Sequence, residues 1–285
     1  MEVGRLSLLR RPRSQGERGV GAWIVRIDRW TGWVLGIALL LALPVFTVFV
    51  TALQPAGEVW RHLADTVLTD YVLNSITLML GVGAGTLLIG VPAAWLTATC
   101  EFPGRRGFEW ALLLPMAIPA YIIAYTYTGL LDFAGPVQTL LRELFGWTRQ
   151  DYAFPEIRSL PGAVLMLTLV LYPYVYLLAR AAFLEQSAAM LEVSRSLGAG
   201  PWRRFLTVTL PLARPALIAG VSLVQMEALA DYGVVQYFGV STFTTGIFRV
   251  WFGMNDATAA AQLAALSLLF VFALLTFERL SRRQA

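Results

Sequence analysis

Residues 192–211 read EVSRSLGAGPWRRFLTVTLP, a polar stretch set between two strongly apolar segments of the chain. From residue 187 onward, apolar side chains such as Leu191 and Leu197 recur among polar ones, which is typical of a short helix on a protein surface. Gly198 and Gly200 then supply the backbone freedom that ends a helix, and the proline that follows is suited to begin another. The stretch predicts two short helices joined by an exposed turn.

The spacing within this stretch resembles the coupling motif of ABC importer permeases. Glu192 is followed six residues later by Gly198, nine further residues separate Gly198 from Val208, and a Leu-Pro pair closes the run. Val193 and Ser194 stand where the family has paired alanines, and Val208 where it has isoleucine. The resemblance implies that a cytoplasmic coupling segment, residues 187–212, docks on an ATP-binding subunit. The predicted docking residues are Glu192, Ser196, Leu197, Gly198, Ala199, Gly200, Pro201, Trp202, Arg203, Arg204, Leu210 and Pro211.

Three arginines, Arg195, Arg203 and Arg204, surround the turn with fixed positive charge. Guanidinium groups pair bidentately with carboxylates, which suits a groove on a partner protein. The same charges are also typical of an interfacial helix held at phospholipid headgroups. The complete spacing of the motif favours docking over that alternative.

Composition indicates an integral membrane protein. Hydrophobic residues make up 57% of the 285 positions and charged residues 14%, where a soluble domain carries about 25%, and the mean hydropathy is +0.64. The basic residues are all arginine, and we do not interpret the pI near 9.5 as nucleic-acid binding. The single Cys100 and single His62 exclude an internal disulfide and a histidine metal cage.

Length and lack of charge predict six transmembrane helices, since about 20 apolar residues cross the hydrocarbon core. The predicted spans are residues 30–53, 73–99, 108–131, 161–182, 213–231 and 258–277. They form a permease domain over residues 30–285, preceded by an Arg-rich cytoplasmic segment over residues 1–29. Internal prolines predict kinks, which membrane bundles tolerate; they are Pro44, Pro92, Pro115, Pro119 and Pro173.

Arginine placement predicts that the N-terminus and C-terminus are both cytoplasmic. With this orientation, most of the 22 arginines lie inside, as the positive-inside rule requires. Those left outside are Arg61, Arg142, Arg149, Arg158 and Arg249. The coupling segment then faces the cytoplasm, where an ATPase could meet it.

Recognisable enzyme signatures are missing from the sequence. The stretch from Gly81 to Gly85 resembles a nucleotide loop, but no Lys follows, and small residues four apart instead favour close helix packing in a membrane. There is no Walker signature, nucleophile elbow or paired-cysteine metal site. We therefore expect a permease subunit and not an enzyme, with no cofactor or metal bound by this chain and with ATP on a partner.

Glu227 and Asp231 are the acidic residues of the predicted fifth span. Lying four apart, they share one helix face, and intramembrane carboxylates are costly unless they face a partner or a water path. We consider two roles: lining the substrate pathway, or bracing the helices at an outer mouth that is already wet.

Residues 226–251, MEALADYGVVQYFGVSTFTTGIFRVW, narrow the resemblance to ferric-iron permeases of the bacterial inner membrane. Those proteins carry two halves with one coupling motif each, so this chain resembles the N-terminal half. The resemblance implies a MetI-like six-helix bundle, an ATP-binding cassette ATPase dimer, a periplasmic binding protein and a second permease half. That half could be a second copy, a separate chain or the remainder of a longer protein.

Other functions stay open on the sequence alone. Polyamine, thiamine, phosphonate and sulfate permeases share the coupling motif. A gradient-driven transporter or channel would use Glu227 and Asp231 as an ion site, but it leaves the coupling motif unexplained. A membrane scaffold would explain the polar turn but not the kinked spans.

Overall fold

The structure is a computed structural model that describes residues 29–55, 57–186, 194, 196, 198 and 200–283. Throughout these residues the regular structure is helical, and no β-strand occurs among them. The predicted all-α class is confirmed. The Arg-rich segment predicted over residues 1–29 lies outside the described part except for Arg29.

Twelve α-helices are described, with one 3₁₀ turn and two π turns between them. They are α1 (Arg29–Ala52), α2 (Glu58–Thr66), α3 (Leu68–Thr99), α4 (Arg105–Ala111), the 3₁₀ turn Leu114–Ala117, α5 (Ala120–Leu131), α6 (Pro136–Phe145), α7 (Leu160–Leu184), α8 (Pro201–Arg204), the π turn Phe205–Thr209, α9 (Leu210–Ala230), α10 (Gly233–Tyr237), α11 (Phe243–Phe248), the π turn Arg249–Gly253, and α12 (Ala257–Arg283).

The chain divides into two units, which are considered separately. The first ends at Val45, and its described part is the beginning of α1; the second runs from Phe46 to Ala285. Helix α1 has 24 residues, about 36 Å at 1.5 Å per residue, which is enough to cross a bilayer. Its length and apolar composition make it a candidate membrane span.

Five helical segments in the described chain are long and apolar enough to cross a membrane, and a sixth span is possible if one bent pair of helices counts as a span. The five are Trp30–Ala52, Leu68–Thr99, Leu160–Leu184, Pro201–Ala230 and Ala257–Thr276. They fall where the sequence predicts the first, second, fourth, fifth and sixth spans.

The third predicted span, residues 108–131, is not one helix. Helix α4 ends at Ala111, and α5 begins only at Ala120. Pro115 lies in the intervening 3₁₀ turn, and Pro119 has an extended backbone directly before α5. Because proline has no N–H and disfavours a helical residue before it, the pair interrupts the helix. The segments on either side, Arg105–Ala117 and Ala120–Phe145, are bent by 97°.

The fifth span begins earlier than predicted. The sequence predicts its start at residue 213, but helical backbone runs from Pro201 through a π turn into α9 and ends at Ala230. The Leu210-Pro211 pair of the coupling motif therefore lies inside this helical segment, directly after the π turn, where the Leu210 N–H donates to the Phe205 carbonyl and Pro211 has no N–H to donate. Helix α8, the π turn and α9 thus form one helical segment.

Helices α3, α7 and α9 pack together and form the main core. The prediction that Gly81 and Gly85 allow close packing is confirmed: a Cβ on Gly85 would lie 2.5 Å from Thr168 Oγ1 on α7, and one on Gly81 would lie 2.8 Å from Val164 Cγ1. On α9, a Cβ on Gly220 would lie 3.2 Å from the Val175 Cα. Small residues thus bring both helices close to α7.

A second apolar cluster joins α2 and the start of α3 to α11 and α12. Tyr71 is fully buried at its centre, where its ring packs against Gly246 of α11. Its hydroxyl accepts a hydrogen bond from Arg249 Nη1 at 3.3 Å. The cluster attaches the last helix to the core.

Candidate functional site

The described part of the coupling segment is an exposed turn followed by a short helix. Ser196, Gly198 and Gly200 are exposed, and α8 starts at Pro201. The predicted docking residues Glu192, Leu197 and Ala199 lie outside the described residues, as does Arg195. The structure therefore shows the second half of the predicted docking surface.

Gly198 has a left-handed backbone, with φ of +77°, whereas Gly200 is extended at φ −64° and ψ 165°. Neither glycine has another group within 4 Å of the position a Cβ would take. The two positions are therefore equally open, but only Gly198 has a conformation that side chains other than glycine rarely adopt.

Aromatic packing attaches α8 to the ends of α3 and α7. Trp202 lies with its ring centroid 5.4 Å from that of Trp95 on α3, and Phe205 lies 4.8 Å from the same ring. Phe205 is buried and also meets Phe183 of α7 edge-on at 6.4 Å, while Trp202 is 66% exposed. Phe205 is thus the buried anchor of the turn, and Trp202 covers it.

Hydrogen bonds fix the same region. Gln186, at the end of α7, donates from Nε2 to the Thr209 carbonyl at 2.9 Å, and the Arg204 N–H donates to the Gly200 carbonyl at 2.9 Å. Arg203 is exposed, Arg204 is half-buried, and neither forms an ion pair with any described residue. These guanidinium groups are therefore available to carboxylates of another protein.

An ionic cluster missed by the sequence analysis lies in the connection after α3. Glu109 Oε1 accepts from Arg105 Nε at 3.2 Å and from Arg180 Nη2, on α7, at 2.9 Å. The backbone of α4 is held as well, because Tyr176 donates from its hydroxyl to the Glu109 carbonyl at 3.5 Å. The four-residue spacing of Arg105 and Glu109 is visible in the sequence, but the partner on α7 is not.

The two carboxylates of the fifth span have different surroundings. Asp231 follows the last residue of α9, and its Oδ1 accepts from the N–H groups of Val234 and Val235 at 2.9 and 3.3 Å. It therefore caps the short helix α10, and its carbonyl accepts from Thr244 Oγ1 at 2.8 Å. Glu227, one turn earlier, is exposed. No group of three or more His, Cys, Asp or Glu side chains suited to a metal occurs among the described residues.

Tyrosines from two elements line a surface pocket of about 400 Å³ beside α10. Tyr121 and Tyr125 come from α5, Tyr232 directly precedes α10, and Tyr237 is the last residue of α10. Tyr172 has a structural role, because its hydroxyl donates to the Leu112 carbonyl at 2.9 Å.

A match to the family described as "Binding-protein-dependent transport system inner membrane component" covers residues 87–285. The chain belongs to this family. The match includes the coupling segment together with α7, α9 and α12. The predicted recognition as an inner-membrane permease of the ABC importer class is confirmed.

Two curated relatives of this permease differ in substrate and in length. The Fe(3+)-transport system permease protein FbpB 2 of Haemophilus influenzae is 28% identical over 86% of this chain and 46% of its own length. The molybdenum transport system permease protein ModB of Escherichia coli is 29% identical over 76% of this chain and 96% of its own length. This permease thus spans about half of the first relative and nearly all of the second.

Two solved structures share the permease fold. A bacterial alginate ABC transporter in complex with an alginate pentasaccharide-bound periplasmic protein gives a TM-score of 0.67 at 17% identity, covering 91% of this chain and 96% of that one. An inward-facing MetNI methionine ABC transporter gives 0.62 at 18% identity, covering 80% and 99%. The predicted MetI-like bundle is confirmed at the level of the fold.

Proposed function

We propose that this permease forms half of an alternating-access pathway and is driven by a separate ATP-binding cassette ATPase dimer that grips the coupling segment. The observation that carries the proposal is the exposed turn at Gly198, with Arg203 beside it and Phe205 buried beneath it. An exposed, positively charged turn on a buried aromatic anchor can both contact a partner and transmit force to the bundle.

The helical continuity from Pro201 to Ala230 supplies a route for that force. When the ATPase dimer closes, α8 moves with the groove that holds it, and α9 moves with α8. Glu227 is exposed toward the far end of the same segment. An exposed carboxylate in a span is costly against lipid, which supports its facing a water-filled pathway or a second permease half.

The orientation belongs to the same proposal. We place the N-terminus and the C-terminus in the cytoplasm of a bacterial cell, because most arginines then lie on the inner side. The coupling segment, Arg105 and Arg180 would then face the ATPase. The loop between α5 and α7 and the connection before α12 would face the periplasm, where a binding protein delivers substrate.

Ferric iron is the substrate that we propose. Its support is the 28% identity to the Haemophilus influenzae Fe(3+) permease over 86% of this chain. The described residues offer no chelating cluster, which suits a pathway that a cation must leave as well as enter. Glu227 would attract the ion at the outer mouth without holding it, whereas Asp231 caps α10.

Reconstitution tests the coupling and the substrate together. The permease is placed in proteoliposomes with its ATPase and its binding protein, and uptake of ferric iron, molybdate, sulfate, a phosphonate, a polyamine and thiamine is measured with and without ATP. We expect ATP-dependent uptake of iron that needs the binding protein. ATP-dependent uptake of another substrate would contradict only the proposal of iron as the substrate. Uptake driven by an ion gradient without the ATPase would contradict both the iron proposal and the proposed coupling to an ATPase.

Molybdenum uptake is the second candidate, favoured by the 96% coverage of ModB. The pathway also needs a second permease half, which we propose is another copy of this chain, a separate permease chain or the remainder of a longer protein. Mass measurement of the purified complex distinguishes the three, and a complex with a single six-span half would contradict all of them.

A further inference from the structure

Helix α6, in the connection between α5 and α7, has its polar side turned toward the protein. Gln138 is buried; its Nε2 donates to the Leu131 carbonyl at 2.8 Å, and its Oε1 accepts from the Tyr152 hydroxyl at 2.8 Å. Both ends of the amide are therefore hydrogen-bonded inside the connection. A solvent-facing loop helix would normally place such a group outward.

Arg142 lies on the same inner side. It donates from Nη1 to the Tyr152 hydroxyl at 2.9 Å and from Nη2 to Thr139 Oγ1 at 3.0 Å, and its guanidinium carbon lies 4.3 Å from the centre of the Phe133 ring. The arginine is half-buried. The polar groups on this side of α6 are thus engaged within the protein and are not available to a partner.

The outward side of α6 is apolar. Leu140 is 55% exposed and Leu144 68%. At about 100° per residue, Leu140 and Leu144 point within about 40° of each other, while Glu143 lies about 60° from Leu140 on the opposite flank. The outward side therefore has an apolar strip with a charged edge.

Aromatic rings stack at the C-terminal end of α6. The Phe145 ring lies 4.6 Å from that of Trp147 at an interplanar angle of 19°, and Trp147 stacks on Tyr152 at 5.6 Å. Tryptophan and tyrosine are enriched at the headgroup level of bilayers, because their rings are apolar and their polar atoms need water.

We propose that α6 lies in the plane of the membrane surface, with Leu140 and Leu144 inserted among lipid acyl chains and Glu143 at the aqueous edge. A bilayer fits better than a protein partner for two reasons. The strip presents no hydrogen-bonding side chain between its leucines, and α6 belongs to the segment Ala120–Phe145, one arm of the bent pair that is long and apolar enough to count as a membrane span. This contact of α6 with lipid does not depend on the proposed substrate or on the proposed orientation of the chain. The orientation only determines that the leaflet in contact with α6 is the periplasmic one.

Collisional quenching tests the proposal on the full-length chain. In a Cys100→Ser background, a single Leu144→Cys or Leu140→Cys is labelled with an environment-sensitive fluorophore, and the chain is reconstituted in vesicles of phosphatidylcholine and phosphatidylglycerol. Quenching by lipids that carry a nitroxide near the headgroup is compared with quenching by a water-soluble nickel chelate. Gln150→Cys is the aqueous control, since Gln150 is exposed in a turn where Thr148 donates to Asp151. Leu269→Cys, on an exposed position of the α12 span, is the lipid control.

We expect the labels at both leucine positions to be quenched by nitroxide lipid several-fold more than the label at Gln150, and to be protected from nickel like the label at Leu269. Repeating the measurement in inner-membrane vesicles of the source cell, where the partners are present, should give the same pattern. Nickel accessibility equal to that of Gln150 would overturn the proposal. Protection from both quenchers in the native vesicles would overturn it in favour of a protein partner.

Discussion

Arg180 Nη2 lies 2.9 Å from Glu109 Oε1, and this ion pair joins α7 to the short helix α4. The two side chains are about a quarter exposed, so the pair is neither a solvated surface contact nor a fully buried one. Arg180 lies close in sequence to the coupling segment at the end of α7. The pair therefore holds the connection after α3 at the end of the bundle from which the coupling segment leaves.

Replacing Glu109 by Gln should lower stability without abolishing folding. We expect a loss of about 1–2 kcal/mol, between the values typical of exposed and buried pairs, and a melting temperature lower by several degrees in detergent. A double-mutant cycle with Arg180→Gln isolates the pair, and Arg106→Gln is the control because Arg106 is exposed and forms no ion pair with described residues. Additive effects of the two changes would mean that the contact contributes nothing.

Gly198→Val should weaken binding of the ATPase while the protein stays in the membrane. The left-handed backbone at Gly198 disfavours a β-branched residue by about 1–2 kcal/mol, so binding should weaken roughly tenfold. Gly200→Val adds the same side chain at an equally open position with extended backbone, which valine before proline tolerates. Affinity is measured by co-purification titration. If both variants lost affinity equally, the added bulk and not the backbone would be responsible.

Cysteine labelling in intact cells tests the proposed orientation. In a Cys100→Ser background, an impermeant reagent should reach cysteines placed at His62, Gln150 and Asn255. Cysteines at Arg105, Gly200 and Arg282 should react only after the cells are opened, because the arginine distribution assigns them to the cytoplasm. Labelling at Gly200 from outside would contradict both the orientation and the docking proposal.

The two carboxylates of the fifth span should respond differently to substitution. Asp231→Ala removes the acceptor for the Val234 and Val235 N–H groups and should cost about 1 kcal/mol, whereas Asp231→Asn keeps an acceptor and should be nearly neutral. Glu227→Gln should leave the melting temperature unchanged, because Glu227 is exposed, yet reduce transport per assembled complex. Normal transport per complex in Glu227→Gln would remove this residue from the pathway.

The fold class, the family and the positions of most spans could be predicted from the sequence because long uncharged runs and a spaced motif are local signals. The break in the third span could not be placed from hydropathy, since Pro115 and Pro119 lie within an apolar run and tolerated kinks and real breaks look alike in sequence. The start of the fifth span was predicted too late because residues 201–212 were assigned to a separate short helix of the coupling segment, although their helical backbone continues into α9.

The roles of individual polar residues depended on contacts distant in sequence. Arg180 on α7 forms an ion pair with Glu109 on α4, and Gln138 accepts a hydrogen bond from the hydroxyl of Tyr152, 14 residues away. Asp231 was predicted on the same helix face as Glu227, but the helix ends at Ala230, so its carboxylate is free to turn toward α10. The helix ends one residue earlier than predicted. Asp231 is therefore a capping residue, while Glu227 remains the candidate for the pathway.

The close approach of Gly220 to Val175 gives the segment Pro201–Ala230 a fulcrum. Measured from Gly220, the arm toward Pro201 is about 29 Å long and the arm toward Ala230 about 15 Å, at 1.5 Å per residue. If the segment tilts as one rod about this point, a displacement imposed at the docking turn arrives at the opposite end reversed in direction and reduced to roughly half. The unequal arms exchange a large displacement at the docking turn for a smaller displacement with greater force near Ala230. This ratio suits a transporter that opens a tightly packed gate more than one that needs a large movement at that end.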